Sequence, residues 1–253
     1  MLDEETEAED PELEWKLCAG AIPAMFCLAL LFHAFELGHF AQRTFLTMPV
    51  HEFGHAVTAW FCGFAAMPTL WHTNVAGSRG LGMPLVLLAA LAFMTLRAWR
   101  AENFALAGLG GALILLQGIG TLYVKEEKAR MLITFGGDGA GMVLAVALIA
   151  CFYFGKGTQM VQGGLRWGFL AIGTAAFVDI YATWWGARRD SGMIPYGEQE
   201  GGLLSDATRL VDEFGWTDGQ LVQRYVALGA CCLAAVALVY AWGLWRARRA
   251  ATD

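Results

Sequence analysis

Apolar residues run through this chain in stretches long enough to cross a bilayer, separated by short polar breaks. A spanning helix needs about 20 mostly apolar residues, and such stretches lie at roughly 17–37, 44–64, 82–97, 103–123, 131–154, 166–186 and 221–245. Two of them, from Asn103 to Val124 and from Tyr225 to Trp245, contain no charged residue. The pattern predicts an all-α, polytopic transmembrane helix bundle of about six to seven spans. The stretch at 82–97 is the shortest, and a re-entrant or edge-strand loop after the second stretch would lower the count.

The polar breaks divide the chain further. Residues 1–16 form an acidic, solvated tail in which Asp3, Glu4, Glu5, Glu7, Glu9, Asp10, Glu12 and Glu14 crowd together. No basic segment precedes the first apolar run, so that run is expected to remain as a span instead of being cleaved as a signal. Residues 17–186 make the transmembrane domain. Residues 187–220 carry Asp190, Glu198, Glu200, Asp206, Asp212, Glu213 and Asp218 and read as the one sizeable extramembrane loop, with Leu203 to Phe214 patterned as an amphipathic helix. Residues 221–253 form the last span and a basic tail. Arg246, Arg248 and Arg249 place the C-terminus in the cytoplasm, and seven spans would then put the N-terminus outside. Lys125, Lys128, Arg130, Arg188 and Arg189 fall on the wrong side of that count, which points to one segment that does not cross.

Composition agrees with lipid as the main solvent. Of 253 residues, 57% are hydrophobic and 16% charged, against roughly 45–50% and about 25% in soluble domains. The net charge of -6 comes largely from the acidic tail. Cys18, Cys27, Cys62, Cys151, Cys231 and Cys232 form no C-x-x-C pair and lie mostly in apolar stretches, where thiols behave as small hydrophobes. Basic residues are too sparse for nucleic-acid binding. The ten tryptophans include Trp184, Trp185, Trp242 and Trp245 near span ends, as in an aromatic belt.

One apolar stretch carries chemistry: His51-Glu52-Phe53-Gly54-His55. Residues four apart on a helix project from nearly one face, so His51 and His55 can ligate one metal ion. Glu52 sits about 100° round the helix, where its carboxylate can take a proton from an activated water and pass it to a leaving amine. Shuffling this composition produces such a motif on the order of half a percent of the time. The structural alternative is a pair of core histidines bonded across helices, with Glu52 paired to Arg43. An ionisable trio in an apolar segment is costly to keep without a function.

A catalytic zinc takes three protein ligands and leaves a fourth position for water. Candidates for the third are His33, His39, His72 and two acids deep in apolar stretches, Asp138 and Asp179. Asp138 is preferred, because the glycines around it in Phe135-Gly136-Gly137-Asp138-Gly139-Ala140-Gly141 let its helix approach the His51/His55 helix closely. Asp179 reads as an alternative ligand, as a second-shell partner for a histidine, or, in preference, as a span residue bonded to a neighbouring helix. His33, Glu36 and His39 could flank the site or bind a second metal, but fit better the interfacial end of the first span.

These residues resemble the site-2 protease family of intramembrane zinc metalloproteases, in which an H-E-x-x-H helix and a later helix with an Asp-Gly pair bind zinc. The resemblance covers roughly residues 44–154 and implies one zinc per chain. By position it makes His51, His55 and Asp138 the ligands and Glu52 the catalytic acid/base. Trp71 to Gly80 is similar to the family's edge-strand loop, with Ala76-Gly77 where an Ala-Gly-Pro usually stands. The Asn and Pro that usually precede the aspartate are absent from Met131 to Gly137, and one helix more than usual separates the two motifs. The implied activity is hydrolysis of a peptide bond in a membrane protein or peptide, in a bacterial cytoplasmic membrane. Two other functions remain open: a di-iron or haem redox protein, since Glu36-x-x-His39 and Glu52-x-x-His55 are half of a di-iron carboxylate set, and a catalytically inactive, protease-like scaffold.

Overall fold

The computed structural model describes residues 11–154, 164–197 and 204–252; the first ten residues of the acidic tail, Glu198, Glu200 and Leu203 lie outside them. Helix α1 (Pro11–His33) is followed by the short α2 (Glu36–Gln42), a π-helical turn (Arg43–Thr47) and α3 (Met48–Phe61), which carries the H-E-x-x-H motif. A hairpin of β1 (Ala66–Pro68) and β2 (Thr73–Val75) leads to α4 (Gly82–Arg100) and α5 (Phe104–Leu122). Then come α6 (Glu126–Ala150), α7 (Leu165–Gly186), the short α8 (Asp206–Asp212) and the long α9 (Asp218–Thr252).

Among the described residues the bundle is helical apart from that hairpin, and six helices are long and apolar enough to cross a membrane: α1, α4, α5, α6, α7 and α9. Helix α3 is not among them. It is the last part of one unbroken helical run, residues 36–61, that includes α2 and the π-helical turn.

Side-chain pairings fix the helix directions. Arg166 at the start of α7 binds Glu14 near the start of α1, and Asp179 further along α7 meets His33 at the end of α1, so α1 and α7 run parallel. Gly173 abuts Ala145 and Gly141 abuts Ile180, so α6 runs against α7. His51 meets Asp138 and His55 meets Ile133, so α3 runs against α6 and therefore along α1. Two successive helices therefore point the same way, separated by a break at Ala34 and Phe35. Tyr240, late in α9, donates to the Ala19 carbonyl early in α1, so the start of α1 and the end of α9 lie on one face. The expectation of termini on opposite sides rests on seven alternating spans, and α3 pointing the same way as α1 breaks that alternation, which hydropathy in 44–64 does not register. Residues 11–16 of the acidic segment are helical and largely exposed, and Glu14 is bound by Arg166 at 2.6 and 3.0 Å.

Helices α4 and α5 pack on each other as a hairpin turned by Ala101, Glu102 and Asn103, whose side chain caps α5 by accepting from the Leu106 amide at 3.1 Å. This hairpin lies largely outside the core, so α6 returns to pack directly on α3. The α3–α6 contact is the most extensive between two elements among the described residues. A Cβ on Gly54 would lie 2.5 Å from the Gly136 carbonyl, 2.7 Å from that of Gly137 and 2.9 Å from the Gly141 amide. In lipid, association between helices comes from such close packing and from polar bonds, since apolar side chains gain little over lipid tails.

The polar loop also folds. Ser205 caps α8 by accepting from the Thr208 amide, and Ala207, Leu210 and Trp216 bury their side chains in the core with Phe177, Ile180 and Tyr225. The amphipathic helix expected for Leu203 to Phe214 is thus present over Asp206–Asp212. Because the atoms facing Gly54 are backbone, no side-chain shift can relieve a substitution there. Gly54→Ala is expected to cost about 1–3 kcal/mol by overpacking and to part His51 from Asp138. Gly168→Ala, with open space around it, should change the melting temperature little. Thermal unfolding of the two variants in detergent checks this.

Candidate metal centre

Helix α3 presents His51 and His55 to α6 one turn apart, and both rings are buried. His55 Nδ1 lies 2.7 Å from the Ile133 carbonyl oxygen, which can only accept, so this nitrogen carries the proton. His51 Nδ1 lies 2.8 Å from Asp138 Oδ1 and donates likewise. Trp184 Nε1 donates to the other oxygen, Asp138 Oδ2, at 2.7 Å, and its ring stacks on Tyr225 with centroids 4.1 Å apart. With each Nδ1 committed as donor, each neutral imidazole has its lone pair on Nε2.

The two Nε2 atoms are 3.1 Å apart. Asp206 Oδ2 lies 3.1 Å from that of His51 and 3.0 Å from that of His55, is buried, and meets neither in hydrogen-bonding geometry. When both rings are neutral, three electron-pair donors face one another; in place of an ion, a proton between the two Nε2 atoms bridges the rings. A tetrahedral ion with bonds of about 2.05 Å sets its ligand atoms about 3.3 Å apart, so the triangle fits one metal ion. Burial alone would push the Asp206 carboxyl up, but protons held on His55 and His51 beside it in the ion's place keep it below the ordinary carboxylate range. Stability gained from that ionised carboxyl is present above the ordinary carboxylate range and is lost as pH falls through the lowered value.

The sequence points to Asp138 as third ligand and regards Asp206 as one of several loop acids. The structure brings Asp138 to the motif, but to the Nδ1 side of His51; the side facing both Nε2 atoms belongs to Asp206. The antiparallel crossing at Gly54 sets α6 behind the imidazoles, while their Nε2 edges open toward the extramembrane loop. The signal for Asp206 was its place beside the Ser205 cap at the head of an apolar stripe that docks on the core. Asp179 does not contact His51 or His55; it accepts from His39 and Arg43. His39 and His55, paired in the di-iron alternative, fall into two different clusters.

Glu52 is buried beside the triangle. Its Oε2 accepts from Thr73 Oγ1 at 2.7 Å, and the same hydroxyl lies 2.7 Å from the Glu52 carbonyl oxygen. Thr73 belongs to β2, so the hairpin positions this carboxylate. Glu52, His55, Asp206, Thr73, Val75 and Thr134 line a cavity of about 340 Å³. In the hairpin, the Thr69 amide bonds the His72 carbonyl and the Ala76 amide bonds that of Ala65, each at 2.8 Å. By antiparallel alternation the backbone groups of Thr73 and Val75 therefore point away from β1, along the free edge that borders the cavity.

Comparison of the chain with protein-family models, with curated proteins and with solved structures finds no match. The site is therefore read from its own geometry. Metal held at this triangle depends on Asp206 directly and on Asp138 through a ring. Asp138→Asn should weaken zinc binding by roughly 10–100-fold, and Asp206→Ala by more, since it removes one of three ligand atoms. Competition for zinc against a chromophoric chelator measures both. Equal retention by the Asp206 variant and the unaltered protein would rule out its role.

Proposed function

We propose that this integral membrane protein is an intramembrane zinc metalloprotease, similar in its working parts to the site-2 proteases. His51, His55 and Asp206 would hold the zinc, in place of the set that the resemblance implies, and Asp138 would orient His51. The observation that carries the reading is the convergence of three metal-ligating atoms beside the Glu52 carboxylate, in a cavity bordered by a free strand edge.

When bound, zinc would supply Lewis acidity, making a water nucleophilic near neutral pH and polarising the scissile carbonyl. The chain's own groups do the rest. Glu52 takes the proton that the attacking water loses and passes it to the departing amine. The Thr73 hydroxyl fixes one carboxylate oxygen, leaving the other for that transfer. A peptide bond inside a helix is shielded by its hydrogen bonds, so a transmembrane substrate must unwind before attack. The outward backbone groups of Thr73 and Val75 offer a template on which an extended segment can pair. Burial of the histidines keeps bulk lipid and most solvent from the triangle, while the cavity on the loop side admits water.

Glu52→Ala should retain zinc and lower cleavage by at least about 100-fold. The assay incubates the detergent-solubilised chain with a pool of synthetic transmembrane-segment peptides and identifies products by mass spectrometry. Cleavage that persists in the variant refutes the mechanism.

A further inference from the structure

A second group of side chains, unused by the proposed reaction, meets where α1 gives way to α3. His33 ends α1, His39 lies on α2 and Asp179 lies on α7. The Asp179 side chain has no exposed surface; its Oδ1 lies 2.8 Å from His39 Nε2 and 3.4 Å from His33 Nδ1. Its Oδ2 accepts from Arg43 Nη1 at 3.1 Å. One ligand atom from each of His33, His39 and Asp179 lies within 4.8 Å of the other two.

A plain ion pair accounts for Oδ2 and Arg43, but not for the rest. His33 Nδ1 is buried without a hydrogen-bond partner, yet faces Oδ1, and an unsatisfied buried nitrogen is costly. The two imidazoles come within 4.5 Å between centroids, which brings both ring nitrogens to the same carboxylate oxygen. Two nitrogens and one oxygen from three separate elements are a donor set that suits zinc. The His39 side chain is 43% exposed, so the cluster is open on that side and leaves room for a further ligand to the ion.

We propose that His33 Nδ1, His39 Nε2 and Asp179 Oδ1 form a second divalent-metal site, separate from the triangle of His51, His55 and Asp206. Binding exchanges the proton shared by His39 Nε2 and Asp179 for the ion, and His33 Nδ1 gains the partner it lacks. Arg43 keeps Oδ2, so the carboxylate binds through one oxygen. The ion ties the end of α1 and α2 to α7. Arg43 opens the π-helical turn that leads into α3 and lies within electrostatic range of Asp138 and Asp206, so the tie fixes the base of the helix that carries the motif. Its role is to hold that base, and it stands whether or not the chain is a protease.

The test is zinc content of the full chain in detergent, dialysed against zinc and then metal-free buffer, read by inductively coupled plasma mass spectrometry. The unaltered protein should hold about two zinc ions, and the His51→Asn/His55→Asn and His33→Asn/His39→Asn variants about one each. In the His51→Asn/His55→Asn background, zinc should raise the melting temperature, and adding Asp179→Asn should abolish that rise. Zinc content unchanged by His33→Asn/His39→Asn, or no zinc and no melting shift in folded His51→Asn/His55→Asn protein, overturns the proposal. Because the His51→Asn/His55→Asn protein lacks the first triangle, its zinc reports on the second site alone, and failure there leaves the protease reading intact.

Discussion

Everything at the centre of this protein depends on how closely α3 approaches α6. Gly54 on one side and Gly136, Gly137 and Gly141 on the other let backbone meet backbone, with no room for a methyl group. A Cβ on Gly137 would meet His51 and His55 ring atoms at 2.5–2.7 Å, so the same glycines that admit the helix also make space for the imidazoles. At that separation the Ile133 carbonyl and the Asp138 carboxylate can each reach an Nδ1. A wider crossing would leave two buried donors unpaired, in a medium that offers no substitute acceptor.

Those two hydrogen bonds decide the chemistry of the other ring edge. A histidine pair without them could turn either nitrogen outward, or share a proton between the rings. Donation from both Nδ1 atoms leaves two lone pairs facing each other, and Asp206 adds a carboxylate to the same point. Such a group is unfavourable without a cation, and a metal ion meets all three atoms at once. The loop is thus part of the core. Its α8 is too short to be stable alone, and Leu210, Ala207 and Trp216 hold it in place, so apolar packing sets the position of a ligand atom.

Much of this was legible in the residues. The H-E-x-x-H spacing identifies His51, Glu52 and His55 as a unit, and the glycines around Asp138 announce a close neighbour. The apolar runs predict the crossing helices, and Trp71 to Gly80 does contain an edge strand. Three features were hidden because they depend on direction or on distant docking. Helix α3 points the same way as α1, which residue counts in 44–64 do not reveal. Whether Asp138 meets Nδ1 or Nε2 follows from the side on which α6 crosses, a property of three dimensions. Asp206, separated from the motif by most of the chain, is one acid among several in its loop, beside Asp212 and Glu213. It differs in sitting where α8 turns its apolar stripe into the bundle.

Helix α7 connects these parts. Asp179 and Trp184 lie five residues apart on it, one gathering His33, His39 and Arg43, the other bonding Asp138 behind the His51 ring. A displacement of α7 along its axis would therefore disturb both clusters together. Arg43 contributes to the same coupling, since its guanidinium is bound at Asp179 and feels the charges of Asp138 and Asp206. Polar groups this deep in a membrane protein are tolerated where they face the bundle interior and satisfy one another. Here that requirement also fixes geometry: α1, α3, α6 and α7 cannot move apart without leaving a charge or a ring nitrogen unpaired. The rigidity a metal centre needs is supplied by polar bonds that lipid cannot replace.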